Sequence, residues 1–206
     1  MSEAVTIRRE PTQARAKARV ERILAAASEL ISESGSDAVR MADIAARAGV
    51  PIGSLYQYFP DKAAMLRMLG LRFMERVRDG LRLMFSEIGS RDEALSRFDE
   101  ALQGYYSIFL DEPVVRDVWS GMQSDKEMQS LDIEDSRANA EIVVAALKPL
   151  VARRDHARLE TTAFLLMQLT GAAVRLAIAV DREEGDRLVA EYRRMMRREL
   201  LSLVGS

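Results

Sequence analysis

Apolar residues recur at helical spacing along almost the whole chain, and no alternating apolar and polar run bounded by turns interrupts them. Val20, Ile23, Leu24, Ala27, Leu30 and Ile31 make one stripe, which predicts a helix over residues 15–34 stopped by Gly35. Met41, Ile44, Ala45 and Ala48 fall at i, i+3, i+4 and i+7 and predict a second helix, ended by Gly49. A short third helix over 51–58 follows, with Pro51 in its first turn and Leu55 and Phe59 facing inward. Pro60 breaks it, and Asp61 is the expected N-cap of a long helix reaching about 87. Met65, Leu66, Leu69, Phe73, Val77, Leu81 and Phe85 hold the apolar side of that helix.

Further helices are expected over 91–110 and 113–119. Ser124 and Glu127 read as a capping box for the next helix, which reaches about 151 with a bend at Pro149. After a loop with a cap at Asp155, two helices over 156–180 and 182–203 close the chain. The expected fold is all-α. An N-terminal unit, residues 1–62, holds three helices, and a larger helical unit spans 63–206.

Two helices about a glycine turn make a helix-turn-helix, and the second helix of such a pair is narrow enough to enter a DNA major groove. The outer side of the 51–58 segment carries suitable groups. Gln57 can read a base edge, and the hydroxyls of Tyr56 and Tyr58, with Lys62, can meet phosphates. On geometry alone, an ordinary helical hairpin with a wet outer face is the commoner reading, since short helix pairs are frequent.

The run Ile44-Ala45, Ala48-Gly49-Val50, Gly53, Leu55-Tyr56, Tyr58-Phe59, Lys62 and Leu66 resembles the N-terminal domain of the tetracycline-repressor (TetR/AcrR) family of transcriptional regulators. The likeness extends back through Ile23, Ala26, Ala27, Leu30 and Gly35, about a quarter of the chain. The resemblance implies phosphate contacts at Tyr56 and Lys62, and contacts with bases or adjacent backbone at Ile52, Ser54 and Gln57. Two positions depart from the family pattern. Arg40 stands where many members have a threonine cap, and is a candidate phosphate contact. Pro51 replaces a commoner serine at the start of the reading helix. The candidate DNA-binding set is therefore Arg40, Pro51, Ile52, Ser54, Tyr56, Gln57, Tyr58 and Lys62.

Composition narrows the alternatives. The 206 residues are 48% hydrophobic and 30% charged, as expected of a globular chain with a sizeable core. Cysteine is absent and histidine occurs once, at His156, which excludes thiol chemistry and leaves little for histidine catalysis. No nucleophile–base pairing, metal-ligand spacing or phosphate loop is visible, so neither an enzyme, a metal nor a cofactor is expected. His156 reads as a surface residue at a helix start. A net charge of −2 means that DNA binding must use a local basic surface. Residues 1–22 offer one: Arg8, Arg9, Arg15, Lys17, Arg19 and Arg22 against Glu3, Glu10 and Glu21. Arg193, Arg194, Arg197 and Arg198 read instead as a solvated helix face. No secretory signal is visible, and a cytoplasmic location is expected. Ala163 to Val180 is the most apolar window. Arg175 within it argues for a buried helix and against a membrane partner.

Aromatic and sulfur side chains spread over several later helices are candidates for lining an apolar cavity: Phe73, Tyr105, Tyr106, Phe109, Trp119, Met122, Phe164 and Met167, with Met128 beside them. Asn139, Gln168 and Arg175 supply polar groups that could orient a small molecule. Core filling is the plainer reading of each of these residues. The resemblance implies that this part senses a small-molecule effector of unknown identity. It also implies homodimerisation through the last two helices, where Ala163, Thr170, Gly171, Ala173 and Ala177 form a small-residue face. The resulting expectation is a dimeric repressor of a palindromic double-stranded DNA operator, released by a small-molecule inducer. An all-α small-molecule carrier or enzyme with a vestigial helix-turn-helix is the alternative.

Overall fold

The computed structural model describes residues 10–122 and 126–204, and among them there are helices and turns but no strand. In chain order these are α1 (Glu10–Ser34), α2 (Met41–Ala48), α3 (Ile52–Tyr58), α4 (Lys62–Met84), α5 (Arg91–Asp111), α6 (Pro113–Met122), α7 (Lys126–Leu147), α8 (His156–Ala179) and α9 (Arg182–Val204). Two 3₁₀ turns, Lys148–Leu150 and Arg153–Asp155, join α7 to α8. Arg8, Arg9 and Ser124 lie outside the described residues.

The side chains bury themselves in two clusters. The smaller joins Ile23, Leu24, Ala27 and Ile31 of α1 to Ile44, Ala45 and Ala48 of α2, with Leu55, Phe59 and Met65. The larger gathers residues of α4 to α9, among them Phe73, Phe98, Phe109, Trp119, Leu147, Leu159, Val174 and Met196. Leu66, Leu69 and Val114 pack against both, so α4 and the start of α6 join the two cores.

The helix ends follow local chemistry. Gly35 and Gly49 take positive φ, 78° and 64°, and stop α1 and α2. At Gly49, Val50 N–H reaches back to Ala45 O at 3.0 Å, tying off the helix. Asp61 caps α4, its carboxylate accepting from Ala64 N–H at 2.6 Å. Ser90 does the same for α5 through Glu93 N–H, and Asp181 for α9 through Glu184 N–H.

Several expected boundaries move. α1 begins at Glu10, five residues before the expected start, with Pro11 in the first turn, where its lack of an N–H costs nothing. Pro51 sits at the N-cap of α3, one residue before the first turn. α4 ends at Met84 rather than 87, because Phe85 turns into the larger core and packs edge-on against Phe98 at 5.0 Å. α7 ends at Leu147. Pro149 cannot continue the α-helical ladder and lies in a 3₁₀ turn instead. Asp155 makes no side-chain cap, and His156 is half-buried with Nε2 3.0 Å from Val151 O.

The window expected to be a buried helix is open along one side. α8 is long and apolar enough, by length and composition, to cross a membrane. The small residues Ala163, Thr170, Gly171, Ala173 and Ala177 face its neighbours within the chain, buried or half-buried. Leu165, Leu169 and Leu176 lie on the other side, 54%, 40% and 53% exposed. The small face thus serves close packing inside the subunit, and the leucine face is left open.

Gly185 marks the tightest of those approaches. A Cβ added there would lie 2.3 Å from Ala177 O, a backbone atom that cannot swing away. Gly185→Ala is therefore expected to destabilise the chain by about 1–3 kcal/mol through overpacking. Gly49→Ala, with open space but a positive φ, should cost about 1 kcal/mol. Urea unfolding followed by helical circular dichroism checks both magnitudes and their order.

Candidate nucleic-acid interface and ligand cavity

Seven residues are too few to form a stable helix alone, so α3 is held by what it buries. Leu55 is wholly enclosed and Phe59 nearly so, one turn apart on the inward side, with Tyr58 packed beside them. This orientation turns Pro51, Ile52, Gly53, Tyr56 and Gln57 outward, where all are exposed. The outer face thus offers an amide, a phenol hydroxyl and a small apolar edge, a set that can meet base edges and phosphates.

The remaining members of the candidate set sit differently. Ser54 is half-buried, and its Oγ accepts from Arg19 Nη1 at 3.1 Å. Arg19 thereby brings a cation from α1 to the edge of α3. Sequence spacing gives no sign of this contact, which spans 35 residues. Arg15, Lys17 and Arg22 are exposed on α1. Arg40 is exposed at the N-cap position of α2 and makes no side-chain cap, which leaves its guanidinium on the surface. Arg47 pairs instead with Glu29 and Glu33 of α1, at 3.3 and 3.0 Å.

Lys62, expected as a phosphate contact, is engaged within the chain. Its ammonium donates to the carbonyls of Ser36, Asp37 and Val39 at 2.7, 3.3 and 3.3 Å. It thus closes the loop between α1 and α2 onto the start of α4, and its donors are engaged before any DNA arrives.

The larger unit encloses a cavity of about 250 Å³. One wall is aromatic: Phe73, Tyr105, Trp119 and Phe98, with Phe73 5.6 Å from Trp119 and 6.1 Å from Tyr105 between ring centres. Met74, Val77, Leu81 and Met84 extend it along α4. The opposite wall is the polar side of α7, where Asp132, Asp135, Ser136 and Asn139 fall at i, i+3, i+4 and i+7. Met167, Gln168 and Thr170 of α8 complete it.

Of the expected lining residues, Phe73, Tyr105, Trp119, Asn139, Met167 and Gln168 border this space. Tyr106 does not, because its hydroxyl donates to Asp186 on α9 at 3.1 Å. Phe109 is fully buried behind the wall, with its ring edge-on to Phe73 and Tyr105. Phe164 lies under the Arg137 guanidinium, 4.4 Å from its ring centre, outside the cavity. Arg175 stands back, near Gly171, and Met128 is buried in the core. The Met122 side chain lies outside the described residues. The polar residues that the aromatic search misses are Asp132, Asp135, Ser136 and Thr170. The one sequence signal for the first three is their shared face with Asn139 on α7.

Electrostatics in the cavity are uneven. Asp135 pairs with Arg78 and accepts from Asn139 Nδ2 at 2.8 Å. Burial pushes both the Asp132 and Asp135 carboxyls above their ordinary value, against the pull of Arg175 and Arg78 respectively. Burial likewise raises the Tyr105 hydroxyl well above the usual phenol range. Asn139 Oδ1 and Trp119 Nε1 are buried and have no hydrogen-bond partner among the described residues.

Comparison with known proteins separates the two parts. Residues 23–69 match the model of the tetR family of bacterial regulatory proteins, and residues 92–204 match a tetracyclin repressor-like C-terminal domain. The HTH-type transcriptional repressor KstR of Rhodococcus jostii is 44% identical over 61 residues, covering 30% of this chain and only 29% of that relative. A TetR-family transcriptional regulator from Streptomyces coelicolor superimposes with a TM-score of 0.70 at 25% identity, covering 90% of this chain and 97% of the other. SmeT, solved as a complex with triclosan, has the same fold, with a TM-score of 0.64 at 19% identity over 90% of each chain.

Three substitutions sort the roles on this face. Gln57→Ala should relax base preference at one position, at a cost of about 1–3 kcal/mol for the preferred sequence. Tyr56→Phe should weaken binding alike on all sequences. Lys62→Ala should also lower folding stability by about 1–3 kcal/mol, since three carbonyls lose their donor. Binding titrations over a salt series, paired with urea melts, check all three.

Proposed function

The chain belongs to the tetR family of bacterial regulatory proteins, and from that premise we propose that it is a dimeric repressor that releases a palindromic operator when a small molecule fills the cavity. The observation that carries the reading is the outward face of α3, with Pro51, Ile52, Gly53, Tyr56 and Gln57 exposed beside the cations of α1. The family match extends over both the helix-turn-helix part and the larger helical part, which speaks against a carrier or enzyme with a vestigial N-terminal domain. Such a regulator works where DNA is, in the cytoplasm.

One α3 reads too few base pairs for specificity, whereas two related by a two-fold axis read two half-sites about 34–36 Å apart. The open face of α8 supports that pairing. Leu165, Leu169 and Leu176 are exposed there, with Met195 60% exposed on α9. A second copy is the partner whose matching face would cover this stripe by symmetry.

Coupling between cavity and DNA runs through two helices. α4 starts at the helix pair, where Lys62 holds the α1–α2 loop, and carries Phe73, Met74, Val77 and Leu81 into the cavity wall. α6 puts Trp119 in that wall, while Asp117 accepts from Ser36 N–H in the same α1–α2 loop. Arg72 of α4 pairs with Glu21 of α1 at 2.5 Å. A ligand that favours a different tilt of α4 and α6 shifts the population towards a spacing that no longer fits DNA. On this reading the functional division falls near residues 62 and 63.

Selection of folded protein on random duplexes at low salt is expected to enrich a palindrome with half-sites one helical turn apart. Recovery without any enriched palindrome rejects the reading. Leu165→Glu with Leu176→Glu should convert the dimer to a monomer in sedimentation and lower operator affinity at least about tenfold, while the helical content stays unchanged.

A further inference from the structure

We propose that the effector is a lipophilic cation, an apolar body bearing one protonated amine or quaternary ammonium, seated with its charge against α7. This rests on the reading of the cavity as an effector site and names the chemistry that the site takes. The cavity is amphipathic in a particular way. Its α7 side presents two carboxylates, a hydroxyl and an amide whose NH2 is already engaged, from Asp132, Asp135, Ser136 and Asn139. Its other side is aromatic and aliphatic, from Phe73, Phe98, Tyr105, Trp119 and Leu81, with Arg76 beside them.

Two acceptors on the α7 side have unmet needs. Asp132 is half-buried, with the Gln168 side chain donating to it and Arg175 attracting it through space, but among the described residues it makes no ion pair. Asn139 is 6% exposed, and its Oδ1 has no donor although its Nδ2 is engaged by Asp135. A half-buried carboxylate with no cation in contact and a buried amide oxygen without a donor both cost free energy until something supplies them. Two of the nearby cations are committed, Arg78 to Asp135 and Arg76 to Glu112 at 2.9 Å, and Arg175 stands outside the lining. An anionic ligand would therefore meet Asp132 with no free cation in the lining to offset it. An ammonium would pair with Asp132, donate to Asn139 Oδ1 and lie near the faces of Tyr105 and Trp119, which favour cations.

Trp119 is the sole tryptophan and borders this cavity as well as the hollow between α1, α4 and α6, so its fluorescence is read together with the Asp132 variants, which alter this cavity only. Three probes of matched apolar length, decylammonium, decan-1-ol and decanoate, are titrated against the full-length protein at pH 7. The amine is expected to bind at least about tenfold tighter than the alcohol, the factor a hydrogen bond to a charged group supplies, and decanoate weakest. Asp132→Asn should lower affinity for the amine about tenfold, and Asp132→Glu should restore part of it, each variant being checked by thermal melting. Tightest binding by decanoate, or equal binding by all three, overturns the charge assignment and leaves the effector site standing. No response to any probe by folded protein overturns the effector site itself. If neither variant folds, the ranking of the three probes on the unmodified chain decides.

Discussion

Burial of Leu55 and Phe59 is the constraint on which the rest depends. A helix of seven residues has no stability of its own, and it projects Tyr56 and Gln57 only because those two neighbours are locked inside. Each such side chain contributes about 1.5–3 kcal/mol when fully enclosed. The enclosing surface is the stripe of α1 together with Ile44 and Ala48 of α2. The function of the first 60 residues is therefore mechanical before it is chemical. They hold a short helix at one angle so that its outer groups meet a groove in register.

That angle is worth controlling only if something else can alter it. The small core does not end where the reading helix ends: Met65 of α4 packs into it, and Leu66, Leu69 and Val114 touch both cores. A rigid helix shared by two cores transmits rotation, because close-packed interiors resist gradual deformation and move as bodies. The polar ties lie at the same joint. Lys62 fastens the α1–α2 loop from α4 and Asp117 fastens it from α6, and Trp119, one helical turn away or less, faces the cavity. A change of cavity shape therefore reaches the loop that precedes the helix pair by two routes.

Helix order and type are legible in the residues because the 3.6-residue period, glycine stops and N-caps at Asp61 and Ser90 all agree. The helix pair is the clearest case, since Gly49, Pro51 and Leu55 each have one local reason to stand where they do. The cavity is only half legible. Aromatic residues mark a core, but whether a ring borders space or fills it is decided by neighbours far away in the chain, as Phe109 and Phe73 show. Tyr106 and Phe164 fail for the same reason, drawn off by Asp186 and Arg137. Asp132 and Asp135 look like solvated charges until α4 and α8 pack against α7. Lys62 is misjudged in part because its carbonyl partners belong to an irregular loop, which no periodicity describes.

The two faces of α8 carry the same lesson into assembly. A helix with small residues on one side and leucines on the other has two different tasks, and composition alone assigns them the wrong way round. Small residues allow close backbone approach, so they suit any tight contact, and here the tight contact is internal: Gly185 of α9 sits against Ala177. Once α9 and α5 take that side, the leucines are what remains for another molecule. Lipid is a poor occupant, because Arg175 lies half-buried within the same span and a hydrocarbon environment would strand its charge. In the proposed dimer a symmetric copy would meet like with like along the stripe and leave Arg175 at its margin. That pairing would also fix the separation of the two α3 helices, so the face closing the dimer would set the register in which the pair reads DNA.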